Sequence, residues 1–169
     1  MAILDSGERR EFDSGAVRDI AEGKGRCDLL PLDVIARMFD FGGKDCSPLT
    51  FISIYIYTGD ETYLYRAICN FCRTEGIDKI TMLLEVSKHY EEGAKKYAER
   101  NWEKGIPLHC YIDSGVRHYL KHMRGDTDER HDRAFVWNML CAIWTQKYKH
   151  ELIDLPFAQE ESNKEEICE

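Results

Sequence analysis

An apolar repeat with helical spacing runs through the middle of this 169-residue chain. From Asp78 onward, apolar or small side chains recur every three or four positions, at Ile80, Leu83, Ser87, Tyr90, Ala94 and Tyr97. This spacing places them on one side of an α-helix, whereas a half-buried strand would require alternation at every second residue. We therefore predict a long helix from Asp78 whose buried face is this stripe.

Other segments carry helix start and stop signals. Pro31 suits the first turn of a helix that runs to about Phe39, and a second helix begins at Ser47 and Pro48. The segment FISIYIY within the second helix is rich in β-branched and aromatic residues and would also suit a strand, but the Ser-Pro start favours a helix. Asp60 is the expected cap of the next helix. Two more helices are predicted over CYIDSGVRHYLKHMRG and DERHDRAFVWNMLCAIWTQKY.

The expected fold is therefore all-α: a single-domain multi-helix bundle over residues 1–150. Residues 1–30 show little periodicity and predict an irregular N-terminal arm. Residues 151–169 are acidic and weakly apolar, and they predict a mobile tail. The length of the chain suits one domain with one core.

Charge and composition exclude several classes of protein. A net charge of −8 argues against wrapping of duplex nucleic acid, which requires a basic face. No apolar run is long enough for a membrane span, and the N-terminus lacks a secretory apolar region, so we expect a cytoplasmic protein. Seven cysteines, without the spacing of a disulfide framework, are interpreted as thiols. Cys69 and Cys72 form a single CxxC, which lacks the other two ligands of a zinc site.

Residues with binding chemistry are concentrated between His89 and Asn138. The loop RNWEKG combines Arg100, Asn101 and Trp102, a grouping that suits the phosphate and base of a nucleotide, although Trp102 could instead fill the core. In the N-terminal arm, Lys24 and Arg26 lie beside glycines and can meet a phosphate, or they form a basic turn without a ligand.

Two polar features of the last predicted helices support a site in this region. Asp113 and Arg117 form an i,i+4 pair that can direct the guanidinium toward a phosphate. Asn138 lies among large apolar residues, and its amide must find a neighbouring backbone group or a ligand.

Two catalytic patterns are partly present. His131 and Asp132, with His118 upstream, are similar to the metal-binding residues of HD phosphohydrolases, but a second upstream histidine and a downstream helical aspartate are missing. Glu129 and Asp132 form an ExxD, the pattern that binds magnesium in all-α pyrophosphohydrolases. Upstream acids are available at Glu85, Glu91 and Glu92, although without the strict ExxE spacing.

Four segments, GAVRDIAEGKGRCDLLP, HYEEGAKKYAERNWEKGIP, DSGVRHYL and HDRAFVWN, resemble the phage-encoded dATP/dGTP diphosphohydrolase family over about residues 13–146. The segment 46–79 looks like a family insertion. The resemblance implies an all-α fold related to the MazG-like superfamily and a phage protein that works in the host cytoplasm. It also implies hydrolysis of purine deoxynucleoside triphosphates to monophosphate and pyrophosphate with magnesium.

The polar residues that match the family are Glu91, Lys96, Arg100, Asn101, Asp113, Arg117, His118, His131 and Asn138. Glu91 and Asp113 are hard oxygen donors and are the expected magnesium ligands. Lys96, Arg100 and Arg117 would hold phosphates, Asn101 and Asn138 would contact the nucleotide, and Trp102 would face the base. His131 or His118 would orient a water molecule or a phosphate oxygen.

Other functions fit the same residues. A site richer in Lys, Arg, His and Asn than in carboxylates also suits a non-catalytic nucleotide sponge that sequesters a host antiviral signal, such as a cyclic nucleotide or an ADP-ribose derivative. A helical adaptor without a ligand is the third possibility. In each nucleotide-binding case we expect a homo-oligomer with sites near the subunit boundary.

Overall fold

The computed structural model describes residues 8–19 and 46–158, and most of this part of the chain is helical. Five α-helices follow one another, namely α1 (Pro48–Thr58), α2 (Thr62–Thr74), α3 (Lys79–Lys96), α4 (Leu108–Arg124) and α5 (His131–Tyr148). The predicted all-α fold is confirmed. The predicted helix from Pro31, together with Lys24 and Arg26, lies outside the described residues. Among the described helices, none is long and apolar enough to cross a membrane.

The helix starts follow the capping signals of the sequence. Ser47 stands at the N-cap position of α1 without a capping hydrogen bond from its side chain, and Pro48 lies in the first turn. FISIYIY is helical, so the strand alternative is wrong. The Asp60 carboxylate accepts a hydrogen bond from the Thr62 amide at the start of α2, at 2.9 Å. Asp78 accepts from the amides of Ile80 and Thr81 at the start of α3. These carboxylates satisfy amides that a helix leaves without partners at its first turn.

Helices α4 and α5 form the centre of the core. Tyr111 and Ile112 of α4 and Phe135 and Met139 of α5 are fully buried. Gly115 lies at a close approach of the two helices, since a Cβ atom there would lie 2.3 Å from the Met139 methyl carbon. The glycine of the DSGVRH motif therefore permits this packing.

Helix α3 buries a different face from the predicted one. Ile80 and Leu83, the first members of the predicted stripe, are 74% and 53% exposed. Met82, Val86 and His89 are buried instead. The segment has apolar residues on more than one face, and contacts with α5 decide which face is buried. The prediction of a helix was correct. The prediction of its buried side was wrong at Ile80 and Leu83, whereas Tyr90, a later member of the stripe, packs against the core.

Part of the N-terminal arm is a β-hairpin rather than irregular chain. Strands β1 (Arg9–Glu11) and β2 (Val17–Asp19) pair antiparallel, with Arg10 opposite Arg18. The turn between them docks on the bundle, because the Ser14 hydroxyl donates to the Gly105 carbonyl and Lys104 donates to the Gly15 carbonyl. Ala16 is fully buried. The hairpin is thus attached to the loop that precedes α4.

Residues 150–158 also differ from the tail predicted to begin at residue 151. A short 3-10 turn, His150–Leu152, follows α5. Beyond it, Leu155 and Phe157 are buried, and Phe157 packs against the Tyr55 ring of α1. Asp154 accepts a hydrogen bond from the His109 amide in the first turn of α4. This segment therefore belongs to the folded unit.

Candidate active site

A cavity of about 850 Å³ lies between the hairpin, α3, the Arg100–Lys104 turn, α4 and the loop before α5. Its volume falls within the range of sites that bury small molecules. Most of the predicted site residues line it: Glu91, Arg100, Asn101, Trp102, Asp113, Arg117, His118 and Asn138. His131 contacts the wall residue His118 from behind, and Lys96 lies beside the cavity in contact with the wall residue Asp19.

Two of the predicted ligand-binding side chains hold β2 in place. The Asn101 amide donates to the Val17 carbonyl and accepts from the Val17 amide, at 3.0 and 3.3 Å. The Lys96 ammonium donates to the Asp19 carboxylate at 2.8 Å, and the Tyr97 hydroxyl donates to the same carboxylate. In this structure Lys96 and Asn101 therefore position the hairpin as one wall of the cavity.

Arg18 of β2 connects the hairpin to the buried amide of α5. Its guanidinium donates to the Asn138 side-chain oxygen at 2.9 Å and to the Cys110 carbonyl at 3.2 Å, and it lies over the Tyr111 ring. The Asn138 amide nitrogen donates to the Ala134 carbonyl, so both ends of this buried side chain are satisfied. Asn138 thus orients a cation on the cavity wall.

Arg10 of β1 provides a second cation to the same wall. Its guanidinium donates to the Cys110 sulfur and lies over the Phe12 ring. Among residues 8–19 and 46–158, no carboxylate forms an ion pair with Arg10 or Arg18. Within these ranges, both guanidinium groups contact neutral acceptors and aromatic rings, which is an arrangement suited to an anion.

The upstream acids form ion pairs instead of a carboxylate cluster. Glu91 pairs with Lys95 on the surface of α3, and Glu92 accepts two hydrogen bonds from Arg133 of α5. Glu85 pairs with Lys88 and Arg130. Each of these carboxylates is thus held by a cation in the folded chain.

Asp113 is buried and pairs with Arg117, as the i,i+4 spacing predicted. Neither Glu91 nor Asp113 belongs to a group of three ligand atoms within 4.8 Å in the described part of the chain. Glu91 and Asp113 do not by themselves form a magnesium site, and their assignment as magnesium ligands stays a prediction.

Trp102 lies both in an aromatic cluster and on the cavity wall, and its contact with a base stays a prediction. Its ring packs edge-on against Tyr90 and Trp144, so it belongs to an aromatic cluster next to the core, and it also lines the cavity. Arg100 has a left-handed backbone with φ of 56° and pairs with Glu103 at the surface. This backbone conformation turns the chain so that Asn101 and Trp102 point toward the hairpin and the core.

His118, Glu129 and His131 meet at the end of the cavity. The Nδ1 atoms of the two histidines are 3.0 Å apart, and the Glu129 carboxylate lies 3.4 Å from His118 Nδ1 and 3.6 Å from His131 Nδ1. Asp128 lies 2.7 Å from the other nitrogen of His131. His118 comes from α4 and His131 from the first turn of α5. The loop between these helices supplies the carboxylates of Asp128 and Glu129.

Burial and neighbouring positive charges keep two cavity imidazoles neutral at neutral pH. Burial, followed by the charges of Arg133 and Arg18, lowers the pKa of His89 to about 4. Burial, followed by His131, lowers the pKa of His118 well below its ordinary value. Each of these rings therefore retains an unprotonated nitrogen that can accept a hydrogen bond.

Sequence reasoning missed Arg10 and the position of Glu129 beside His118 and His131. Strands of three residues are too short for a period of two to be recognised, so nothing in the sequence placed Arg10 opposite Arg18. Arg18 lies in the same segment, GAVRDIAEGKGRCDLLP, as Lys24 and Arg26, but its partner Asn138 is 120 positions away. Glu129 was recognised as part of an ExxD, whereas the structure places it beside two histidines.

Comparison with known proteins agrees with the resemblance in the sequence. Residues 73–154 match the family model described as dATP/dGTP diphosphohydrolase, N-terminal. The match contains α3, α4 and α5, and it begins near the end of α2, so most of the segment 46–79 precedes it. Searches of curated proteins and of solved structures found no match. Residues 73–154 are therefore similar to the N-terminal domain of the dATP/dGTP diphosphohydrolase family.

Proposed function

We propose that this protein binds a purine deoxynucleoside triphosphate, dATP or dGTP, in the cavity and hydrolyses it to the monophosphate and pyrophosphate. The observation that carries the proposal is the pair of hairpin arginines, Arg10 and Arg18, which face the cavity and whose side-chain partners in the described part of the chain are neutral. The family match supplies the reaction class. In a chain of net charge −8, such cations are a specific attraction for an anion.

The cavity wall offers separate surfaces for phosphate and base. Arg10, Arg18 and Lys121 provide cationic donors, and Tyr97 and Trp102 provide aromatic faces. Guanidinium groups bind phosphate oxygens through paired hydrogen bonds, and aromatic rings stack on bases of any kind. We expect the triphosphate to lie along the hairpin side and the base to contact an aromatic ring.

In the proposed reaction, a water molecule attacks the α-phosphorus, and the bond from that phosphorus to the oxygen bridging to the β-phosphate breaks. The neutral His118 can accept a hydrogen bond from the water and orient it, with His131 directly behind. The guanidinium groups stabilise the negative charge that develops on the leaving pyrophosphate. Magnesium is supplied in the assay as the usual counter-ion of a nucleoside triphosphate.

The test is an incubation of the purified protein with each dNTP, first with magnesium and then with chelator, followed by chromatography of the products. We expect dAMP or dGMP and pyrophosphate in equal amounts, and only with the metal. Arg18→Gln should lower kcat/KM by at least tenfold, because it removes a donor worth about 1.5 to 3 kcal/mol when bound to a charged group. Arg66→Gln, an exposed arginine of α2, is the matched control.

A second function remains open because the acids of α3 are already held by cations. A nucleotide sponge would use the same cationic wall without hydrolysis, and the ion pairs of Glu91 and Glu92 leave these carboxylates engaged. The incubations therefore also include cyclic nucleotides and ADP-ribose derivatives. An unchanged nucleotide that is depleted from solution and recovered after heating would support the sponge and contradict the enzyme.

The proposal also includes a phage protein in the host cytoplasm and a homo-oligomer. Light scattering coupled to size-exclusion chromatography, with and without nucleotide, tests whether the protein is a homo-oligomer. A mass of 19.7 kDa at all concentrations would contradict oligomerisation.

A further inference from the structure

The cluster of His118, Glu129 and His131 has the dimensions of a metal site. Its three potential ligand atoms, two imidazole Nδ1 atoms and one carboxylate oxygen, form a triangle with sides of 3.0, 3.4 and 3.6 Å. In a tetrahedral zinc site with bonds of about 2.0 to 2.1 Å, neighbouring ligand atoms are about 3.3 Å apart. Adjacent ligands of octahedral magnesium, at the same bond length, are only about 2.9 Å apart.

The hydrogen bond of Asp128 indicates which His131 nitrogen can bind a metal. A carboxylate only accepts, so His131 Nε2, 2.7 Å from Asp128, is the nitrogen that carries the proton. In the neutral ring this leaves the lone pair on Nδ1, which faces His118 and Glu129. A carboxylate that orients a histidine in this way is a recurrent feature of metal sites.

The three side chains of the cluster are largely buried. His131, Glu129 and His118 are 1%, 13% and 17% exposed. A cation at the centre of the triangle would contact all three ligand atoms and would be largely shielded from bulk water.

We infer that His118, Glu129 and His131 bind a borderline divalent transition-metal ion such as Zn²⁺, with a further coordination position open to the cavity. Two imidazoles and one carboxylate suit zinc and its first-row neighbours, whereas magnesium prefers an all-oxygen set. His118 and Glu129 line the cavity, so the open position faces the space where a nucleotide would lie. This metal site is inferred from its own geometry and does not depend on the proposed hydrolysis.

A neighbouring group provides the main alternative. Asp126 and Asp128 also lie within 4.8 Å of His131, so an ion could instead be held on the loop carboxylates. The two arrangements share His131 but differ in every other ligand. Asp126 already pairs with Arg124, and Asp128 with Lys121, which makes these carboxylates less available. Variants that affect only one group separate the two sites.

The experiment measures binding of the metal alone to the full chain, stripped with chelator and kept reduced, without nucleotide. Calorimetry with Zn²⁺ and Mg²⁺ gives stoichiometry, and visible absorption with Co²⁺ reports the ligand atoms. We expect one equivalent of Zn²⁺ or Co²⁺, at least a tenfold loss of affinity in His118→Gln and Glu129→Gln, and a comparable loss in His131→Gln. Asp128→Asn should weaken binding by about 10-fold to 100-fold, as expected for a group that orients a ligand.

His122→Gln is the matched control, because His122 lies one turn after His118 on α4 and pairs with Glu75. It and Asp126→Asn should bind the metal as the wild type does. Retained binding in both His118→Gln and Glu129→Gln would overturn the site, and so would a thiolate-to-cobalt charge-transfer band, since that band places the ion on cysteines. Absence of stoichiometric binding would overturn it as well. Circular dichroism of each variant confirms that it is folded before its affinity is compared.

Discussion

At the scale of single residues, the contact between Arg18 and Asn138 shows how the site is built. A fully buried amide requires partners, and the sequence predicted that Asn138 would find them in backbone or in ligand. The structure supplies two protein partners, the backbone carbonyl of Ala134 and the side-chain guanidinium of Arg18. The sequence could indicate the need for a partner, but not one that lies 120 positions away in a strand of three residues.

Asn138→Ala is expected to lower the free energy of unfolding by about 1 to 3 kcal/mol, because it leaves the Arg18 guanidinium without its side-chain acceptor. Urea unfolding of Asn138→Ala, Arg18→Met and the double variant measures the coupling between the two residues. We expect a coupling energy of about 1 kcal/mol. Strictly additive effects would mean that the hydrogen bond contributes nothing to stability. Arg66→Met provides the control for loss of an exposed arginine.

At the scale of helices, α3 shows what periodicity can and cannot predict. Its existence and its start at Asp78 followed from local signals, which act within one turn of the chain. The buried face of α3 did not follow from local signals. Apolar residues occupy more than one side of this helix, and neighbours that are distant in sequence decide which side is buried. The same limit applies to α4, where the apolar side chains of Ile112 and Val116 are buried but that of Met123 is 51% exposed.

Two apolar side chains of similar size on opposite sides of α3 test the observed orientation. Met82 is almost fully buried and Leu84 is mainly exposed. Met82→Ala should lower the free energy of unfolding by about 2 to 5 kcal/mol. Leu84→Ala should change it by less than about 0.5 kcal/mol. Thermal or urea unfolding of the pair provides the measurement, and a larger effect at Leu84 would mean that α3 is rotated from the position described.

The close approach of α4 and α5 at Gly115 leads to a second helix-scale prediction. Gly115→Ala places a Cβ atom against the Met139 side chain in the core and should lower the free energy of unfolding by about 1 to 3 kcal/mol. Gly93→Ala, at a helical position of α3 with open space around it, should instead raise it by up to about 1 kcal/mol. Equal effects of the two substitutions would be inconsistent with the packing described here.

At the scale of the whole molecule, the C-terminal segment is joined to α4 by an ion pair that responds to pH. Hydrogen bonds to Asp154, and then to Cys110, raise the pKa of His109 to about 10. Because the folded state binds this proton more tightly than the unfolded chain does, the stabilisation is complete below the ordinary histidine pKa of about 6.5. It is lost as the pH rises from there through about 10.

The free energy of unfolding of the wild type should therefore exceed that of Asp154→Asn by about 1 kcal/mol near pH 6, a modest value because both side chains are partly exposed. The difference should shrink steadily up to pH 10. Urea unfolding across this range measures it, and His109→Gln should give the same curve as Asp154→Asn. A difference that grows with pH would contradict the ion pair.

Sequence reasoning at this scale predicted the all-α class, and most of the site residues that it predicted do line the cavity, because helices are encoded locally and the motifs fall on adjacent turns. It did not predict the hairpin or the packing of Leu155 and Phe157, both of which depend on docking against distant elements. The cluster of His118, Glu129 and His131 was not predicted for the same reason, since its members come together only when the loop before α5 folds back on α4.

Attachment of the hairpin to residues 77 to 120 positions later in the chain has a consequence for the order of folding. Contacts of such long range form late, after α4 and α5 have paired, so the cavity is completed at the end of folding rather than at its start. The amides of residues 17–19 should accordingly exchange with solvent faster than those of α5, and a bound anion should slow their exchange most of all. Deuterium exchange with and without nucleotide would reveal occupancy of the site through the backbone that closes it.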